Sequence, residues 1–258
     1  KKHMKNITTE LWETTVDLFP TRRESRMVMG VIFVAISISV SEILLAHFFS
    51  LLILPTEPRE TKSLIFLGII FLSFFSILRL ASFAKEHYRL NIFEKSLTSC
   101  KSENQVANSW RWATAMELTS LLILCGRLFF ISALLFFFSP IFGICNMIIG
   151  IGIFQILSWR LGKQFKSQYK FREKQRSKQP VTNAEKVRTR VIAAEIGSLL
   201  SSVGLIILLG ILILLYAKGS LSPAKAFVLF IAVRMIGQIY SGLSSGLMRF
   251  ARARVYSE

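Results

Sequence analysis

"ISISVSEILLAHFFSLLIL", residues 36–54, is an almost unbroken apolar run with one carboxylate, Glu42, in its middle. About 20 apolar residues wound as a helix cross the roughly 30 Å hydrocarbon core of a bilayer, so a run of this length reads as membrane span. A carboxylate held in hydrocarbon is costly; such groups turn toward a bundle interior or an aqueous cavity and pair with each other. The stretch therefore predicts a membrane helix and a cationic partner for Glu42 elsewhere in the chain.

The rest of the sequence agrees. Hydrophobic residues make up 52% of the 258, with 22 Phe, and the apolar runs are too long and too closely spaced for one or two soluble domains. Six segments are long enough to span, about 27–54, 63–84, 113–138, 141–161, 191–217 and 221–250, giving an all-α membrane domain over 27–258. Ahead of it, residues 1–26 are polar and longer than the basic head of a cleavable signal, so the first span is expected to serve as the insertion signal. Within them "ITTELWETTVDLFPTRRES" sets Leu11, Trp12, Val16, Leu18 and Phe19 among acids and threonines, the pattern of a surface-lying amphipathic helix that ends near Pro20.

The net charge of +17 raises nucleic-acid binding as an alternative, and its placement argues against it. Of the 32 Lys and Arg, 26 fall in residues 1–26, 79–111, 160–190 and 249–258, and only Arg59, Lys62, Lys218 and Lys225 lie in the alternate connections. That is the positive-inside pattern; it places both termini in the cytoplasm and suggests a bacterial inner membrane. The basic stretch "RLGKQFKSQYKFREKQRSK" is accounted for by orientation and by attraction to anionic membrane lipids, with no nucleic acid.

The outer connections "PTEPRETK", "SP" and "KGSLSP" are tight Pro and Gly turns. The inner ones, residues 85–112 and 162–190, are rich in helix formers, so the spans should continue as helical hairpins that turn near Ser99–Ser102 and Gln179–Asn183. Trp110, Trp112 and Trp159 fall at the inner interface, where indoles anchor.

Two arginines, Arg127 and Arg234, lie inside spans at a depth similar to that of Glu42. A central Arg costs roughly 2.5–3.5 kcal/mol on insertion scales, enough to turn it away from lipid. Glu42, Arg127 and Arg234 are therefore the candidates for a cavity that takes a polar or anionic substrate; a buried ion pair fixing helix register is the alternative. Glu117 and Glu195 lie nearer the inner ends, where solvation accounts for them. In "GQIYSGLSSG", Gly237, Ser241 and Ser245, and likewise Gly242 and Gly246, recur every four residues, as for helix packing within the bundle or a dimer seam. Cys100, Cys125 and Cys145 are scattered, and neither metal nor cofactor site is expected. No catalytic constellation stands out, so the chain is not expected to be an enzyme.

The whole pattern resembles the six-helix transmembrane domain of ATP-binding-cassette exporters of type 1. The closing segment "GSLSPAKAFVLFIAVRMIGQIYSGLSSGLMRFARARVYSE" is similar to the family's last helix. The opening "ELWETTVDLFPTRRESRMVMGVIFVAISISVSEILL" is similar to the oligosaccharide-lipid flippase-like branch, in which an arginine pair follows a cytoplasmic elbow helix and a Glu lies midway along the first span; Arg22, Arg23 and Glu42 match. The resemblance implies an elbow helix over the N-terminus, two cytoplasmic hairpins, and the permease part of an exporter working as a homodimer or heterodimer, moving a polar, anionic or lipid-linked substrate. The 258 residues contain neither the GxxxxGK[ST] phosphate loop nor the cassette signature, so any ATPase would be a separate subunit or partner half. The hairpins are also shorter than the family's, in which they dock on that ATPase. The competing expectation is a non-transporting scaffold or regulatory subunit whose basic hairpins bind a partner or anionic lipid.

Overall fold

The computed structural model describes residues 7–19, 22–54, 61–98, 105–177 and 183–257, and these hold seven α-helices and no strand. A short α1, Ile7–Leu18, precedes six long helices: α2 Arg22–Ile53, α3 Thr61–Thr98, α4 Gln105–Phe138, α5 Pro140–Arg176, α6 Asn183–Ala217 and α7 Pro223–Ser257. The long helices have 32 to 38 residues. At 1.5 Å per residue that is about 48–57 Å, well beyond the roughly 30 Å of hydrocarbon. All six carry an apolar window able to cross a membrane, so the chain is an integral membrane protein by length and composition.

Each predicted span matches one helix, and the helices overrun the predicted spans on the basic side. α3 runs on to Thr98 and α4 starts at Gln105; α5 runs on to Arg176 and α6 starts at Asn183. The predicted continuation of these spans as helix is therefore observed. The turns predicted near Ser99–Ser102 and Gln179–Asn183 fall on 99–104 and 178–182, outside the described residues except for Asn183, which opens α6; Pro20 and residues 55–60 of the expected outer turn also lie outside them.

The opposite ends are closed by chemistry visible in the sequence. Pro140 opens α5 directly after Ser139, whose carbonyl accepts the Gly143 N–H at 2.9 Å; Pro suits a first helical position because its missing N–H would have no partner there. After α6, Gly219 adopts φ 70°. The Ser220 N–H bonds the Leu215 carbonyl at 3.1 Å and the Gly219 N–H bonds Tyr216 at 2.9 Å, a Schellman cap that needs a residue tolerant of the left-handed region. Ser222 then caps α7, its Oγ accepting from the Lys225 N–H at 3.4 Å ahead of Pro223.

α7 is the central helix and packs on α4, α6, α5 and α2. The core holds Leu118, Leu121 and Leu135 of α4, Leu208 of α6, and Val228, Leu229, Ile236 and Phe250 of α7. α3 touches chiefly α2 and shows most of its apolar surface, including Phe66, Leu72, Leu80 and Phe83, to the surroundings, as a lipid-facing helix does. α1 is two-faced. Leu11, Leu18 and the following Phe19 are buried, with Phe19 stacked on Phe93 of α3 at 5.9 Å, while Trp12 and Val16 point outward.

Candidate functional site

Glu42 of α2, Arg127 of α4 and Arg234 of α7 each lie 11 residues from the short-turn end of their helix, at Ile53, Phe138 and Pro223 respectively. That places all three about 16 Å below that end, deep in the hydrocarbon zone. Glu42 and Arg127 meet: Nη2 lies 4.0 Å from Oε2, at the limit of an ion pair and too long for a hydrogen bond. The side chains stay 42% and 29% exposed, so the pair borders open space instead of sealing a core. Arg234 joins neither; it is exposed and has no ion-pair partner among the described residues. The three charges therefore leave one guanidinium uncompensated at mid-depth.

Arg234 is not isolated on its helix. Gln238, Ser241, Ser245 and Arg249 follow at intervals of four, three, four and four, the spacing of a single helix face, and every one is exposed or half-exposed. This polar face is bounded on both sides by packing. On one side Gly242 sits against Leu124 and Gly246 against Leu121, both of α4. On the other, Gly237 abuts Leu205 and its carbonyl accepts the Ser201 hydroxyl of α6 at 2.7 Å, and Ser244 presses on Gly197. The small residues thus divide. Gly237, Gly242 and Gly246 pack within this chain's own bundle, Ser241 faces outward, and Ser245 is half-buried with its Oγ donating to the Gly242 carbonyl at 3.2 Å.

A pair not apparent in the sequence lies on the same face. Glu117 of α4, expected to be simply solvated, accepts from Arg249 Nε at 2.8 Å. The partners lie 132 residues apart, and only the antiparallel register of α4 on α7 reveals the contact: Glu117 with Arg249, Leu121 with Gly246, Leu124 with Gly242. Glu195 is exposed, as expected of a solvated group.

Other polar groups sit deeper. Asn146 of α5 donates to Ser132 Oγ at 2.9 Å, while its Oδ1 and the Tyr240 hydroxyl, which lies over Gly150, are buried without a partner among the described residues. A cavity of about 210 Å³ between α2 and α3 is lined by Leu44, Leu45, Phe48, Ile70, Phe71 and Phe74, an acyl-chain environment with no polar group to orient a ligand. Among the described residues no three His, Cys, Asp or Glu side chains gather as metal ligands would. Of the tryptophans, Trp159 is exposed beneath Lys163 Nζ, 3.5 Å from the ring centroid, whereas Trp112 packs edge-on to Phe93 at 6.2 Å and Trp110 stacks on Tyr256 at 5.1 Å.

No protein-family model matches the chain, and no curated protein matches it.

Proposed function

We propose that this chain is the membrane-spanning part of a transport system, built like an exporter's six-helix domain, in which the polar face of α7 and the Glu42–Arg127 pair line a path for a polar or anionic substrate. The observation that carries the reading is the exposed run Arg234, Gln238 and Ser241, continued by the half-buried Ser245, within a helix able to span a membrane. Hydrocarbon offers those groups no hydrogen bonds, so a water-filled cavity or a second subunit has to cover them. Arg234 supplies the charge that an anionic substrate would meet. On this reading the basic ends of the helices lie in the cytoplasm, α1 is the elbow helix, a homodimer or heterodimer encloses the path, and a separate ATPase supplies energy.

A second reading, a membrane scaffold, is favoured by the protruding part of α5, where Lys163, Lys166 and Lys170 are exposed and suit an anionic lipid surface or an acidic partner. Substituting Arg234→Leu separates the two. The complex purified in mild detergent from native membranes is reconstituted in liposomes, and ATP-driven movement of carboxyfluorescein, an anionic probe, is followed. Transport predicts that an ATPase co-purifies and that Arg234→Leu lowers flux at least about tenfold with assembly unchanged, the scale of one charge-assisted contact. Absence of any ATPase, or flux indifferent to Arg234, rejects the ATP-driven reading.

A further inference from the structure

Beyond the membrane depth, the exposed face of α7 continues as Arg249 and Arg252, three residues apart and both exposed. Arg249 lies 26 residues past Pro223. That is about 39 Å along the helix against a hydrocarbon thickness of about 30 Å, so both guanidiniums can be reached from water or from the headgroup layer.

Their posture is fixed from behind. Arg249 spends only its inner nitrogen on the protein, Nε donating to Glu117 Oε1 at 2.8 Å. Its two terminal nitrogens have no partner among the described residues, and the side chain stays 60% exposed. The Arg252 guanidinium rests over Trp110, 5.5 Å from the ring centroid, and Trp110 is itself stacked on Tyr256. Glu117 is poorly served in return: its Oε2 is buried and finds no donor among the described residues. A carboxylate that holds the largely exposed Arg249 by one oxygen is a weak internal counter-ion.

We infer that Arg249 and Arg252 form a binding site for a phosphate-bearing anion, and that Glu117 is the carboxylate this anion displaces. Guanidinium groups present paired donors that match phosphate oxygens two at a time, and residues three apart on a helix stand roughly 5–6 Å apart at Cβ, close enough for one ligand of two or more negative charges to engage both. A phosphate or pyrophosphate group satisfies the outward-facing donors that Glu117 leaves untouched. The source is either a free phosphorylated anion or the headgroup of a phospholipid, because the chemistry presented to the two arginines is the same. The site stands at the basic end of the polar face of α7; its role in loading a substrate rests on the transport reading, whereas the binding itself does not.

The test is calorimetric titration of inorganic pyrophosphate into the full chain held in phosphatidylcholine nanodiscs, which needs no flux. Wild type is expected to bind saturably. Arg249→Gln and Arg252→Gln should each weaken binding about tenfold or more, the scale of a lost hydrogen bond to a charged group. Glu117→Gln should tighten it about fivefold, because the competing negative charge is gone. That sign is diagnostic: if the Glu117–Arg249 pair serves packing alone, Glu117→Gln leaves pyrophosphate binding unchanged or weakens it, and the proposal falls. It also falls if wild type shows no saturable binding in phosphatidylcholine. Repeating the titration in phosphatidylglycerol nanodiscs assigns the source. Loss of pyrophosphate binding there identifies a lipid headgroup as the occupant, and retention identifies a free anion; either result supports the site.

Discussion

At Gly237 a Cβ would stand 2.6 Å from Leu205 Cδ1, and the residue's carbonyl already holds the Ser201 hydroxyl of α6. A methyl group there demands a shift of one leucine tip; a full side chain must push α6 and α7 apart. Gly237→Leu should therefore cost about 1–3 kcal/mol, the usual penalty for overfilling a packed interface. Gly210 is the control, exposed and with nothing within 4 Å of its would-be Cβ, and Gly210→Leu should stay within about 0.5 kcal/mol of wild type. Reversible unfolding in mixed micelles by added SDS reads both. The recurrence of small residues every four positions was legible in the sequence, but the direction each one faces was not. Four residues turn a helix by about 400°, so each step drifts some 40° around the axis, and Gly237 and Ser245 end roughly 80° apart. The two rows of small residues are thus shared among α6, α4 and open space.

At the scale of elements, the N-terminal helix shows how burial and charge divide the work of attachment. α1 is held by Leu11, Leu18 and the adjoining Phe19, which stacks on Phe93, which in turn meets Trp112 edge-on, so one ring ties α1, α3 and α4 together. An ion pair between Asp17 and Arg254 spans α1 and α7 at 2.7 Å, with Asp17 56% exposed. Solvent screening leaves such a pair about 0–1 kcal/mol, whereas removing a fully buried phenyl ring costs about 3–5 kcal/mol. Phe93→Ala should accordingly speed amide hydrogen exchange throughout residues 7–18, and Asp17→Asn should barely alter it. Equal effects from the two substitutions would mean that charge, not ring packing, fastens α1. The helices and the turns at "SP" and "KGSLSP" were readable in advance, since apolar length, Pro and Gly act locally. Pairings between elements were not: nothing near Glu117 in the chain announces Arg249, because the contact is set by how far α4 slides along α7.

For the molecule as a whole, the arrangement of charge about the six spans makes a claim about sidedness that a bundle of helices alone does not. The helices project past the hydrocarbon thickness at one end, and that end carries Arg160, Lys163, Lys166, Lys170, Arg172 and Lys174 of α5 as well as Arg249, Arg252 and Arg254 of α7. The other end is finished by the compact turns at Ser139 and at 218–222. Moving the arginine- and lysine-rich end across a membrane during insertion is strongly disfavoured, so it should stay on the cytoplasmic side. Ser177, at the end of α5, and Ser220, in the turn before α7, are both exposed and mark the two sides. In a background with Cys100, Cys125 and Cys145 replaced by Ala, a membrane-impermeant maleimide should label Ser220→Cys in intact cells and reach Ser177→Cys only after the cells are opened. The reverse pattern would put the Arg249–Arg252 face outside, beyond the reach of cytoplasmic anions, and the direction of the proposed path would have to be inverted. Labelling of both sites in intact cells would instead mean that the six helices do not separate two compartments, and the membrane-spanning reading of the apolar run around Glu42 would fail with it.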